Sequence, residues 1–168
     1  ATHGFDARQC GSVGLDDTTI SSTVVRGKIE DGDLAAASRM LGRPVSLLGT
    51  VVHGAGLGRE LGFPTANLDL HHEAKPPDGV YLTRALVGDR EWPSLTNIGT
   101  RPTICRMSGG ESVVEVYIEG VHESLYDQDV EVQFVRKLRE EVRFATVDEL
   151  KAQMEADRDV MRAELGDV

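Results

Sequence analysis

The seven residues Asp129-Val130-Glu131-Val132-Gln133-Phe134-Val135 alternate strictly, with Val130, Val132 and Phe134 on one side and Asp129, Glu131 and Gln133 on the other. A period of two belongs to an extended chain, whose successive side chains point to opposite faces, so this run reads as a strand with one face in a core. Four further runs upstream read the same way: Pro44 to His53 (PVSLLGTVVH), Gly79 to Val87 (GVYLTRALV), Glu91 to Ile98, and Ser112 to Ile118 (SVVEVYI). The turn Gly88-Asp89 joins the second of these to the third, in which Pro93 favours an edge or a bulge. Short strands joined by turns, with no helices alternating between them, exclude a parallel α/β sheet and predict an antiparallel barrel.

Outside the strands the period changes. Thr146-Val147-Asp148-Glu149 is a capping box, and Val147, Leu150, Met154, Met161 and Leu165 follow at helical spacing, which predicts a C-terminal amphipathic helix closing over the barrel. Near the other end, Gly32-Asp33 followed by Leu34 to Leu41 and stopped at Gly42 and Pro44 predicts a short helix. Residues 1 to about 20 are polar and without period, and are expected to form an irregular arm.

Composition narrows the partners. The chain has 168 residues, enough for one domain that buries about two thirds of its unfolded surface, and 40% of them are hydrophobic. Its formal charge of −10 argues against nucleic acid and anionic membranes, whose sequence-independent affinity comes from clustered Lys and Arg. No apolar run approaches the roughly 20 residues needed to span a bilayer, and no signal-peptide h-region is present, so a cytoplasmic location is expected. Cys10 and Cys105 lie far apart without metal-ligand spacing, consistent with a reducing compartment. The start at Ala1-Thr2-His3, without Met, leads us to expect a piece of a longer protein.

The densest group of special residues is Gly54-Ala55-Gly56-Leu57-Gly58-Arg59-Glu60-Leu61-Gly62-Phe63-Pro64-Thr65-Ala66-Asn67. Glycines let backbone N–H groups approach an anion and Arg59 adds a donor fork, yet the spacing matches neither GxGxxG nor the P-loop. On spacing alone these glycines suit a wide hairpin loop as well as a phosphate cradle. Thr65 and Asn67, following Pro64 in an extended or turn conformation, aim two neutral oxygens to one side; such oxygens suit Mg²⁺ carried by a nucleotide, or equally a cap and a turn. Glu115 shares a strand face with Val113 and Tyr117 and is a candidate general base, or a solvent-facing edge residue. Leu138-Arg139-Glu140-Glu141-Val142-Arg143-Phe144 reads as a solvated charged stretch with Phe144 stapled onto the last helix, or as a loop folding a ring and a guanidinium over a flat ligand.

Taken together, Gly58 to Asn67 resemble the glycine loop and PTAN signature of riboflavin kinases, especially the kinase module of bacterial bifunctional FAD synthetases. The resemblance runs from about Leu41 to Glu164. It is supported in order by Pro77-Asp78-Gly79-Val80-Tyr81, Asn97-Ile98-Gly99-Thr100-Arg101-Pro102-Thr103, Val114-Glu115-Val116, Leu125-Tyr126, Leu138-Arg139-Glu140 with Phe144, and Asp157. It implies a mainly β fold, a closed antiparallel six-stranded Greek-key-like barrel with a C-terminal α-helix. It also implies ATP-dependent phosphorylation of riboflavin at the ribityl 5′-hydroxyl, giving FMN and ADP. By that likeness Thr65 and Asn67 are the magnesium ligands, and Gly54, Gly56, Gly58, Arg59, Gly62 and Pro64 cover the nucleotide phosphates. Glu115 is the base, Tyr126 lies beside the nucleotide, and Arg139, Val142 and Phe144 belong to the loop that closes on the flavin. Asp127 stands where the family usually has Gly, and Ile104 where an aromatic is common.

Residues 1–43 carry a second likeness, leaving 44–168 as the kinase domain. Ile20-Ser21-Ser22-Thr23-Val24-Val25-Arg26 and the helical stretch to Pro44 resemble the end of the adenylyltransferase module that precedes the kinase in FAD synthetases, where the SST and Arg touch ATP phosphates. The covalent partner implied is that module. Its HxGH motif is absent from these residues, so Ser22, Thr23 and Arg26 have no partner site and FMN, not FAD, is the expected product. A flavin-binding module without turnover is opposed by intact Thr65, Asn67 and Glu115. An oligonucleotide-binding barrel is opposed by the charge and by an aromatic content of 5%.

Overall fold

The computed structural model describes residues 11–54, 56–70, 74–100 and 112–166. The expectations for Cys10, Cys105, Ile104 and Arg101-Pro102-Thr103 lie outside the described residues. The first elements among the described residues are a two-strand pairing of β1 (Gly14–Leu15) and β2 (Thr18–Thr19), within the stretch expected to be irregular. Helices α1 (Ser22–Glu30) and α2 (Leu34–Leu41) follow. Helix α1 is not apparent from the sequence, because Thr23, Val24, Val25 and Gly27 all have low helix propensity. Ser21 accepts the Val24 N–H at 3.3 Å as N-cap, and burial of Ile29 against the core outweighs propensity. Helix α2 begins and ends as expected: Asp33 caps the Ala36 N–H at 3.2 Å, and Gly42 is left-handed at φ +69°.

The barrel consists of β3 (Ser46–Val52), β4 (Thr65–Leu70), β5 (Gly79–Val87), β6 (Arg90–Thr100), β7 (Ser112–Ile118) and β8 (Asp129–Arg139), with the four-residue helix α3 (Leu57–Glu60) inside the glycine loop. It closes in the order β3-β4-β7-β6-β5-β8 with antiparallel neighbours, a Greek-key path. All five predicted strands form, β8 running four residues further than expected, to Arg139. The sixth, β4, alternates Ala66, Leu68 and Leu70 with Thr65, Asn67 and Asp69. Its signal is weakened by a small Ala and by Asn and Asp, which are rare in strands.

Inside the barrel Leu47, Ile98, Val116, Val130 and Val132 are fully buried, and the Tyr81 and Phe134 rings meet edge to face at 5.2 Å. Thr83 bonds to the Ser94 and Thr96 hydroxyls at 2.8 and 2.9 Å, so this buried polar trio satisfies itself. Helix α4 (Val147–Leu165) lies outside the barrel, anchored by Met161 packed with Leu82 and Leu95. Its capping box forms with one change: Thr146 accepts the Glu149 N–H at 3.2 Å, while the Glu149 carboxylate accepts from Ala145 rather than from the cap itself. Val147, expected on the apolar face, is 58% exposed.

Candidate active site

The register of three strands builds the site. Asn67 of β4 pairs with Glu115 of β7, which pairs with Asn97 of β6; in the next row Thr65 pairs with Tyr117, which pairs with Leu95. The residues between them, Val114, Val116, Thr96 and Ile98, are buried in the barrel. Alternation therefore turns the two rows outward. There Thr65, Leu95, Asn97, Glu115 and Tyr117 form the wall of a cavity of about 420 Å³. Gly56, Gly58 and Leu61 rim it on one side; Arg139, Phe144, Leu150 and Met154 cover it on the other.

Two glycines of the loop are required by close approach. A Cβ on Gly54 would stand 2.1 Å from the Asn67 amide nitrogen, so the backbone at 54 lies directly on that buried side chain. A Cβ on Gly58 would stand 2.4 Å from the Phe63 carbonyl oxygen and 3.0 Å from Thr65 Oγ1. The loop is thereby folded onto its own exit, and the Phe63 N–H donates to the Gly58 carbonyl at 2.8 Å. Gly56 and Gly62 sit at positive φ, and Arg59 projects from α3.

Arg59 and Pro64 reach a second, smaller cavity of about 80 Å³, also lined by Thr65, Glu123, Ser124 and Tyr126. Tyr126 stacks on His53 with ring centres 3.9 Å apart. The neighbouring Asp127 takes φ +63°, a conformation that glycine adopts without strain, so the Gly that the resemblance leads us to expect there would fit this backbone. Thr65 lines both cavities, and of the predicted residues it is the one that joins the two groups.

The segment after β8 is anchored rather than free. The Arg139 guanidinium donates to the Asp157 carboxylate at 2.8, 3.0 and 3.2 Å and to the Glu140 carbonyl at 3.0 Å, and Gln153 donates to Asp157 at 2.8 Å. Arg139 is thus a fixed part of the wall, Phe144 lines the cavity, and Val142 lies at its rim, 55% exposed. Asn97 donates to the Glu141 carboxylate at 3.3 Å, and that carboxylate occupies the space a Cβ on Gly99 would take, 2.2 Å from Oε1. Asn97, Glu141, Tyr117 and His53 line or adjoin the site without being singled out from sequence; the first three occur in the quoted motifs with no spacing rule to mark them. Burial pushes the Tyr117 phenol up, Glu119 adds to this, and Arg158 opposes it. Among the described residues no three His, Cys, Asp or Glu side chains gather as a metal cluster.

A closed Greek-key barrel with two cavities that meet at one threonine, one on the outward face of β4, β6 and β7 and one reaching the inward residues Val51, Val116 and Ile118, and bordered by a glycine loop and a helix, has the architecture of a small-molecule-binding barrel. A family model described as flavokinase, riboflavin kinase, matches residues 41–165, and the chain belongs to the riboflavin kinase family. It is 41% identical over 160 residues to a bifunctional riboflavin kinase/FMN adenylyltransferase of Pseudomonas fluorescens, and 42% identical over 156 residues to that of Escherichia coli K12. Those matches cover 95% and 92% of this chain but 51% and 49% of the relatives, so the chain spans about half the length of the curated relatives it matches. A crystal structure described as a macrolide-efflux protein of Streptococcus pneumoniae superposes with a TM-score of 0.78 at 34% identity, covering 90% of this chain and 49% of that one. Riboflavin kinase of Trypanosoma brucei, at 23% identity and a TM-score of 0.50, covers 71% of this chain and 78% of its own and shares the fold. No helix among the described residues is long and apolar enough to cross a membrane.

Proposed function

We propose that the chain transfers the γ-phosphoryl group of ATP to the ribityl 5′-hydroxyl of riboflavin, giving FMN and ADP. The observation that carries this reading is the meeting of two cavities at Thr65: a large one with mainly apolar cover, where Glu141 and Asp157 accept from Asn97 and Arg139 and Glu115 is the candidate base, and a small polar one beside Arg59 and Tyr126. The large cavity suits the flat isoalloxazine between Arg139, Val142 and Phe144. The small one suits a nucleotide reaching inward from Tyr126.

Phosphoryl transfer passes through a loose transition state, so the protein mainly positions the reactants and neutralises charge. The N–H groups of residues 59 to 62 donate within the loop, so the loop would meet the β- and γ-phosphates through its earlier backbone at Gly54, Gly56 and Gly58 and through the Arg59 guanidinium. Glu115 orients the attacking hydroxyl and accepts its proton late, a task within reach of an ordinary carboxylate. Thr65 and Asn67 offer two neutral oxygens on one face of β4, a donor set that suits Mg²⁺ whose other ligands are phosphate oxygens and water. When bound, that ion supplies countercharge to the phosphates. ATP as donor carries a cytoplasmic location with it. The doubled length and bifunctional description of the relatives support extending the reading: residues 1–43 are the end of an FMN adenylyltransferase module in a longer parent, and 44–168 its kinase.

Incubation of the chain with riboflavin, ATP and Mg²⁺, followed by chromatography, is expected to yield FMN and ADP. Absence of FMN with folded protein would reject the reading.

A further inference from the structure

Arg158 of α4 faces the barrel one position beyond Asp157. Its guanidinium carbon lies 5.0 Å from the centre of the Phe63 ring, a cation–π distance, its Nε is buried without a hydrogen-bond partner, and its charge is near enough to the Tyr117 phenol to oppose the rise in that group's pKa. The two rings touch each other, with centres 5.5 Å apart at 58°. Phe63 is 3% exposed and enters β4 directly before Pro64-Thr65, whereas Tyr117 pairs across from Thr65 and stands two residues beyond Glu115. One cation therefore lies over the ring that leads into β4, and that ring packs on Tyr117 of β7, so the contact reaches both strands that present the Thr65 oxygen and the Glu115 carboxylate. A second arm secures the arrangement: Tyr117 donates to Glu119 at 3.0 Å, and Arg162 of α4 donates to the other Glu119 oxygen at 2.7 Å.

Building on the kinase reading, we infer that Arg158 is a positioning residue for phosphoryl transfer, fixing the spacing of Thr65 and Glu115 by clamping Phe63 and Tyr117. Docking of α4 itself rests elsewhere, on Met161 against Leu82 and Leu95 and on Asp157 with Arg139. The clamp can therefore be weakened without detaching the helix. Arg158 does not line either cavity, so its loss should alter the geometry of reaction more than the binding of either substrate.

The test compares Arg158→Met, which keeps the apolar stem, with Arg158→Lys, which keeps the cation, at matched melting temperature. For Arg158→Met, kcat is expected to fall roughly tenfold, with both KM values within about twofold, and Arg158→Lys to recover part of the loss. In a Phe63→Leu background the same Arg158→Met change should cost much less, because its ring partner is gone. Amide exchange at Phe63, which donates to Gly58, should quicken in Arg158→Met while the β5 and β8 amides stay unchanged. Unchanged kcat, identical Lys and Met variants, or additive losses with Phe63→Leu would overturn the inference. Wild-type chain that forms no FMN would reject the kinase reading instead, and the Phe63 exchange, which needs no turnover, would still decide whether the clamp exists.

Discussion

Strands β4, β6 and β7 have two faces built to different rules. Inward, Leu68, Val114, Val116, Thr96 and Ile98 are buried and held by volume, each filling space that its neighbours leave. Outward, Thr65, Asn67, Glu115 and Asn97 are polar and are held by segments distant in the chain. Gly54 lies on Asn67, Asn97 donates to Glu141, and Arg158 of α4 lies over Phe63, which packs on Tyr117. One register places both sets, so a strand that is right for the core automatically presents the chemistry. The faces should therefore separate under mutation, with inward changes unfolding the protein and outward ones leaving a folded protein that turns over slowly.

The sharpest outward test is Glu115→Gln, nearly isosteric and partly exposed. We expect kcat to drop by about two to four orders of magnitude with an unchanged melting curve. Turnover near wild type would remove Glu115 from the chemistry and leave its row a mere wall. The inward counterpart is Ile98→Ala, one row from Glu115 and fully buried. It should lower unfolding stability by about 3 kcal/mol in urea titrations while kcat per folded molecule holds. A loss of kcat at full stability would show that the two faces are coupled through the strand. Next comes Gly54→Ala, which acts on the outward row through a segment it does not belong to. The new methyl would stand 2.1 Å from the Asn67 amide, so either loop or side chain must move. A fall in kcat/KM for Mg-ATP of about a hundredfold is expected, with the melting point nearly kept. Retained activity would mean that Asn67 need not be held where it is.

The two faces also differ in how far they could be read from sequence. Inward positions announce themselves through a period of two, and Val130, Val132 and Phe134 led to the barrel without help. β4 escaped because its outward residues, Asn67 and Asp69, disfavour strands by propensity; here the functional face weakened the structural signal. Helix α1 escaped for the opposite reason, since tertiary burial of Ile29 stabilises a sequence of poor helix formers. In the site, Thr65 and Glu115 stood out by residue type within recognisable motifs. Glu141 and Arg158 did not, because nothing local says that a carboxylate 44 residues after Asn97 will bond to it, or that a helix cation will lie over Phe63. Such pairings exist only once the barrel has closed and α4 has docked.

The smallest effect concerns two tyrosines, one on each face. Inside the barrel, burial pushes the Tyr81 phenol up to about 12, with Glu140 and Asp78 adding to it. In the unfolded chain it ionises near its ordinary value of about 10. A raised value means that folding favours the neutral form, so the contribution is complete below pH of about 10 and is lost as pH climbs toward about 12. Tyr117, outward, is also raised by burial, but the nearby Arg158 pulls the other way and should make its alkaline loss the shallower. Tyr81→Phe removes the titration together with the hydroxyl bond to the Pro77 carbonyl at 2.6 Å. The variant should therefore be about 1 kcal/mol less stable at neutral pH and converge on wild type across the alkaline window. Urea titrations at neutral pH and near pH ~11 check this. Parallel curves would assign the alkaline limb to other groups and make the inward face insensitive to charge.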